Sequence, residues 1–222
     1  MMPFPGGMDS LANGTLLLSV AAALLYLPVQ GRSPSLRRTI VKTAAVALLA
    51  VLAWIAGGPL LLVAALALSA AGDAFLAQEG ETPFLAGLAS FLAAHLAYVA
   101  LFLSTGGGAA MLTAEPWRLA LALLAAAGAV VLLRRLLPAA GPAMRVPVAA
   151  YAAAILAMLW AAATVPAPII LAGAALFVLS DSLLAIGRFL LPPDSPRQPA
   201  TGAAVWVFYY LAQAAIALGF LL

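Results

Sequence analysis

Residues 60–77 read L-L-L-V-A-A-L-A-L-S-A-A-G-D-A-F-L-A. From Leu60 to Leu68 the run contains only leucine, valine and alanine, and Asp73 then interrupts it. A run of this length is about what a helix needs to cross a bilayer, roughly 20 residues. Helix is also the form that satisfies every backbone group within one segment. A carboxylate inside such a helix costs roughly 2.5–3.5 kcal/mol on insertion scales, so it is expected to face the bundle interior or a wet cavity. The stretch therefore says two things: the fold is built from membrane helices, and one of them carries a charge for a reason.

Working outward, the composition agrees. The chain has 222 residues, 66% hydrophobic and 8% charged, with a mean hydropathy of +1.16. A soluble domain carries about 25% charged residues. This chain cannot cover itself with a water-compatible surface, and it reads as an all-α polytopic membrane protein forming a single integral-membrane domain over 1–222. Its net charge of +3 and pI near 9.7 are assigned to loop topology and not to nucleic-acid binding. The absence of cysteine excludes disulfides and thiolate-held metals. The opening M-M-P-F-P-G-G-M-D-S lacks a basic n-region, so no cleaved signal peptide is expected.

Apolar runs bounded by glycine, proline or charge predict eight transmembrane helices, near 11–29, 39–56, 59–78, 83–104, 115–136, 143–163, 167–190 and 200–221. Gly57-Gly58-Pro59 is read as a break between two spans, because the apolar stretch around it is too long for one. The loops give an independent check. Arg32, Arg37, Arg38, Lys42, Arg134, Arg135, Arg145, Arg188 and Arg197 then lie on one side, and Arg118 alone lies on the other. The positive-inside rule makes that side cytoplasmic, which puts both termini on the non-cytoplasmic side.

A weak internal echo accompanies this count. A-G-D-A-F-L-A (71–77) matches L-S-D-S-L-L-A (179–185), and His95-Leu-Ala-Tyr98 resembles Tyr210-Leu-Ala-Gln213. Spans three and four would pair with spans seven and eight in a 4+4 parallel repeat about the membrane normal.

Asp73 and Asp181 are the leading candidates for chemistry. Burial favours the neutral acid, and two nearby carboxylates favour sharing one proton. That state suits a general acid working with a general base. The plain alternative is that each aspartate bonds a neighbouring helix. His95 lies one helical turn before Tyr98, on the same face; it is read either as a site residue or as a polar bridge between helices. One histidine and no cysteine make a zinc site unexpected, and no metal or other cofactor is expected. Lys42 either snorkels or meets a lipid phosphate at headgroup level. Ser69, Ser180 and Ser182 lie near the aspartates, but no G-x-S-x-G stretch supports a serine nucleophile. Glu79 and Glu81 read as a solvated turn. Tyr209, Tyr210 and Gln213 are polar groups in the last span, where bonding across helices is the plain alternative.

As a set, these motifs resemble the YhhN-type lysoplasmalogenase family of eight-span membrane proteins. The motifs are Ser69-x-x-Gly72-Asp73, Phe84-x-x-Gly87-x-x-x-Phe91-x-x-x-His95-x-x-Tyr98, Phe177-x-x-Ser180-Asp181 and Tyr209-Tyr210-x-x-Gln213. The resemblance covers nearly the whole chain. One departure is Thr43 after Lys42, where many members carry proline; it leaves the role of Lys42 open. The resemblance implies hydrolysis of the vinyl ether bond of lysoplasmalogens, giving a fatty aldehyde and glycerophosphoethanolamine or glycerophosphocholine. It implies Asp73 and Asp181 as the catalytic core, without a metal, and His95, Tyr98, Ser180, Tyr210, Gln213 and Lys42 as supporting or substrate-binding residues. The implied partners are a lysophospholipid substrate and the bilayer. The alanine-rich composition points to a GC-rich bacterial genome, and the expected location is a bacterial cytoplasmic (inner) membrane. The chief rival reading is a proton-coupled transporter using the same aspartates. An intramembrane aspartyl protease is weaker, since its Gly-x-Gly-Asp stretch reads Ala70-Ala71-Gly72-Asp73 here and no Pro-Ala-Leu occurs.

Overall fold

The computed structural model describes residues 2–222, apart from the side chain of Met8. Among the described residues the chain is all helical, with nine α-helices after a short 3-10 turn at Gly7–Asp9. They are α1 (Leu11–Tyr26), α2 (Leu36–Ile55), α3 (Leu60–Leu76), α4 (Glu81–Thr105), α5 (Gly108–Ala114), α6 (Pro116–Ala140), α7 (Pro142–Ala163), α8 (Pro168–Phe189) and α9 (Gln198–Leu221). Six of them, α2, α4, α6, α7, α8 and α9, are long and apolar enough to cross a membrane. The chain is an integral membrane protein. The two shorter apolar helices, α1 and α3, have 16 and 17 residues. At 1.5 Å per residue each is about 25 Å long, a little short of a hydrocarbon core of roughly 30 Å.

The helices form two compact units. The first comprises residues up to Leu101 together with Gln213–Leu222. Here α1 packs on α2 and α2 on α3. The Gly57-Gly58-Pro59 break is a true turn between helices. Gly57 has φ +71°, a left-handed conformation that favours glycine. A Cβ on Gly58 would lie 2.8 Å from the Leu221 side chain and 3.0 Å from the Ala53 carbonyl. The turn returns α3 antiparallel to α2. At the far end, Arg38 donates to the Ala77 carbonyl at 3.3 Å and Gln78 donates to Thr39 at 3.1 Å. Ser19 on α1 donates to the Ala45 carbonyl on α2 at 2.6 Å. The N-terminal Pro/Gly segment is pinned by Asn13, whose amide exchanges two hydrogen bonds with the backbone of Phe4 (3.0 and 2.8 Å).

The second unit is Phe102–Ala212. In it α6, α7 and α8 pack on one another. Three helices begin with proline at the first position, where the missing N–H costs nothing. Two details differ from the sequence expectation. Helix α6 runs on to Ala140 through Pro138, four residues beyond the expected end, so Arg134 and Arg135 stand nearly two turns inside its end. The short α5 was not foreseen; its glycine-rich entry, Gly106-Gly107-Gly108, hid it. Arg118, the basic residue expected on the opposite side from the others, is buried at the start of α6. Its guanidinium donates to Glu115 at 2.9 Å and to the Val165 carbonyl at 2.8 Å.

Candidate active site

In the first unit, small residues bring α3 and α4 close. A Cβ on Gly72 would lie 2.6 Å from the Phe91 ring, and one on Gly87 would lie 2.7 Å from Leu76. Close backbone approach of this kind is how small residues join membrane helices. It explains why glycine precedes the aspartate and why Gly87 and Phe91 follow at their spacing. The Ser90 hydroxyl fastens the same seam by donating to the Leu68 carbonyl at 2.7 Å.

The seam leaves Asp73 turned toward α2. Its Oδ1 lies 3.3 Å from the Lys42 Nζ, and the two side chains are 2% and 12% exposed. Lys42 also stands 6.0 Å from the centre of the Tyr26 ring on α1, at the outer edge of a cation–π contact. Lys42 therefore reaches inward to a carboxylate, which decides against simple snorkelling. His95 and Tyr98 are both buried on α4. The Tyr98 hydroxyl donates to the Gln213 Oε1 at 2.5 Å, tying α4 to α9. The Ser69 hydroxyl and the Gln213 Nε2 are buried without a hydrogen-bond partner among the described residues. Buried polar groups rarely stay that way, so both are donors available to a bound water or ligand.

In the second unit, Asp181 meets α7. The Tyr151 hydroxyl donates to the Asp181 Oδ2 at 2.5 Å. The sequence reading missed Tyr151. It stands in A-A-Y-A-A-A, where no motif marks it, and the available signal was a lone polar group in an otherwise apolar span. The interval repeats that of the first unit. Tyr151 precedes Asp181 by 30 residues, and Lys42 precedes Asp73 by nearly the same, each partner lying on the helix just upstream. Ser180 is buried and donates to the Val205 carbonyl at 2.9 Å, while Ser182 donates to the Val178 carbonyl of its own helix at 2.7 Å. These hydroxyls are committed to backbone carbonyls, which argues against a serine nucleophile here. Tyr210 stacks on Trp206, with ring centres 6.3 Å apart, and Tyr209 meets Phe177 edge-on at 5.4 Å. Tyr209 and Tyr210 thus build the packing around α8 and α9.

Among the described residues no group of three or more His, Cys, Asp or Glu side chains is placed to hold a metal ion. A model of the YhhN family matches residues 37–220, which takes in both aspartates and all of the supporting residues. The chain belongs to the YhhN family. Among proteins of known role it is 35% identical to the lysoplasmalogenase of Mycobacterium bovis and, equally, to that of Mycobacterium tuberculosis. Each alignment runs over 163 residues, 72% of this chain and 59% of the relative. The matched part thus spans less than two thirds of the relatives' length. No solved structure matches this YhhN-family chain.

Proposed function

We propose that this protein is a lysoplasmalogenase, hydrolysing the vinyl ether bond of a lysoplasmalogen by general acid–base chemistry from Asp73 and Asp181. The observation that carries the reading is the pair of carboxylates in membrane helices, each held by a polar side chain from the helix before it. Family membership and the names of the mycobacterial relatives supply the substrate class.

The chemistry runs as follows. An acid protonates the outer vinyl carbon, and the electron pair of the double bond forms the new C–H bond. The carbon next to oxygen becomes an oxocarbenium ion. Water attacks it and gives its proton to a base, leaving a hemiacetal. In the collapse of the hemiacetal its hydroxyl proton goes to the spent acid, the bond from carbon to the glycerol oxygen breaks, the base returns its proton to that oxygen, and a fatty aldehyde is released. Glycosidases solve a related oxocarbenium problem with two carboxylates. Asp73, ion-paired with Lys42, is the ionised member that activates water and faces the developing cation. Asp181 delivers the proton, with Tyr151 fixing which oxygen presents it. His95, Tyr98 and Gln213 orient the water, and Ser180 and Tyr210 hold α8 and α9 around the reacting group.

We further propose eight spans, α1 to α4 and α6 to α9, with both termini on the non-cytoplasmic side of a bacterial inner membrane and α5 outside the count. Within the first unit, Arg37, Arg38 and Lys42 gather at the start of α2. Within the second, Arg134, Arg135, Arg145, Arg188 and Arg197 gather at the α6–α7 and α8–α9 junctions. The matching upstream partners of the two aspartates support a 4+4 repeat within a single membrane domain.

The test is direct. Purified protein in detergent receives 1-alkenyl lysophosphatidylethanolamine or its 1-acyl counterpart, and products are followed by mass spectrometry. Aldehyde from the alkenyl lipid alone, lost in Asp73→Asn and Asp181→Asn, is the expected result. Fatty acid from the acyl lipid would mean a lysophospholipase, and no product from either would turn attention to proton-coupled transport.

A further inference from the structure

At the end of the second unit an open groove of about 350 Å³ lies between the last turns of α8 and the first turns of α9. Leu183, Leu184, Gly187 and Leu191 line it from α8 and the turn that follows, and Thr201 and Val205 from α9. Arg188 supplies its cation. The floor is braced by Gln198, which donates to the Gly187 carbonyl at 2.9 Å. Ligand sites run from roughly 300 to 1,000 Å³, so this one suits a headgroup with the start of a chain and not a whole lipid.

Its position along α8 matters more than its size. Leu184 and Arg188 follow Asp181 at three and seven residues, so all three share one helical face. The seven-residue interval amounts to about 10 Å along the axis. At its inner end the groove reaches Val205, whose carbonyl accepts the hydrogen bond from Ser180, the neighbour of Asp181. The wall is mostly apolar, with Gln198 and Thr201 as neutral polar groups, one arginine at the outer end and a carboxylate beyond the inner end. A lysophospholipid has the same order of parts: phosphate, three-carbon glycerol backbone, then the ether-linked chain.

We propose that this groove is the headgroup site, and that Arg188 binds the phosphate of a lysophospholipid whose sn-1 ether then lies toward Asp181. The planar guanidinium suits a phosphate, which it meets with two parallel hydrogen bonds. This rests on the lysoplasmalogenase reading and names the determinant of its substrate class. The plainer role for Arg188 is to offset the partial negative charge at the C-terminal end of α8, where it occupies the last turn. That role predicts no dependence on ligand phosphate.

The experiment measures binding without turnover. Purified protein in detergent is titrated with 1-O-alkyl lysophosphatidylethanolamine, whose saturated ether this chemistry does not cleave, and with 1-O-alkyl glycerol, which lacks the phosphate. Arg188→Gln should weaken the phospholipid by at least about tenfold, as expected for loss of a charge-assisted contact, and leave the alkyl glycerol unchanged. Gly187→Leu fills the groove without touching the charge and should weaken the phospholipid as well. Inorganic phosphate at millimolar concentration should not compete. The proposal falls if Arg188→Gln binds both ligands like wild type, or weakens both equally. It also falls if inorganic phosphate competes, since the site would then belong to a free anion. Phosphate-dependent binding with no aldehyde from the alkenyl lipid would overturn the reaction while leaving this site standing.

Discussion

Around Asp73 the chain reads A-G-D-A-F-L-A and around Asp181 L-S-D-S-L-L-A. The first carboxylate nevertheless meets an ammonium at 3.3 Å and the second a phenol at 2.5 Å. Both partners come from the helix just upstream, at nearly the same interval, and their chemistry differs. A lysine beside a buried carboxylate makes an ion pair, and in the proposed mechanism that carboxylate is the base. A tyrosine hydroxyl carries no charge; in the same mechanism it orients the carboxyl group that delivers the proton. On that proposal the change of partner separates two roles that identical partners would leave equivalent.

The largest effects should come from removing the carboxylates. Asp73→Asn and Asp181→Asn are each expected to lower kcat by about 10²- to 10⁴-fold, the usual worth of a positioned general acid or base. Aldehyde release read against unchanged size-exclusion profiles is the measurement. Full activity in both variants would sink the assignment. A large loss in only one would show that the chemistry runs on a single carboxylate and that the other aspartate is structural.

Next comes the stability difference between the pairs. Lys42→Met takes the ammonium from a buried carboxylate, and removing one partner from a buried ion pair costs about 3–5 kcal/mol. The low end applies, since Lys42 is 12% exposed. Thermal unfolding in detergent should show the drop, and the double change Lys42→Met with Asp73→Asn should recover most of it. Without that recovery, Lys42 matters through something other than Asp73. Tyr151→Phe, by contrast, removes a hydroxyl and leaves its ring in place. It should lower kcat by up to about tenfold, the upper end of the roughly 0.5–1.5 kcal/mol assigned to a hydrogen bond between neutral groups, with KM little changed. A change in KM alone would make Tyr151 a packing residue.

Much of this comparison could be read before any coordinates. Hydropathy placed every long helix to within a few residues, because a bilayer demands apolar runs of fixed length. Asp73 and Asp181 were visible for the same reason, as charges where charge is costly. The partners were another matter. Lys42 sits at a helix end, where a lysine beside water and one bent toward a carboxylate look identical in sequence. Tyr151 is an amphipathic residue among alanines, and nothing local says which helix its hydroxyl faces. Ser180 was read as a supporting residue, but nothing in the sequence marks the carbonyl on the next helix that its hydroxyl serves. Pairings between helices depend on rotation about the helix axis, and a chain this rich in alanine and leucine leaves that rotation poorly marked.

The smallest expected effect sharpens the contrast between two ion-paired cations. Lys42 faces an anion that is itself buried. Arg118, 1% exposed, faces Glu115, whose side chain is 39% exposed, and also has the Val165 carbonyl. The hydrogen bond from Arg118 holds the Glu115 carboxyl below its ordinary value. A lowered folded-state pKa means the contribution is present above the ordinary glutamate range and is lost as pH falls through the lowered value. An exposed carboxylate is screened by solvent, so the contribution is small. Glu115→Gln should therefore lower the melting temperature slightly at neutral pH. The gap from wild type should close as the pH drops below that range. A loss as large as that of Lys42→Met would mean that Arg118 depends on Glu115 as fully as Asp73 depends on Lys42. The Val165 carbonyl would then contribute little, and the two ion pairs would be equivalent supports, one in each unit.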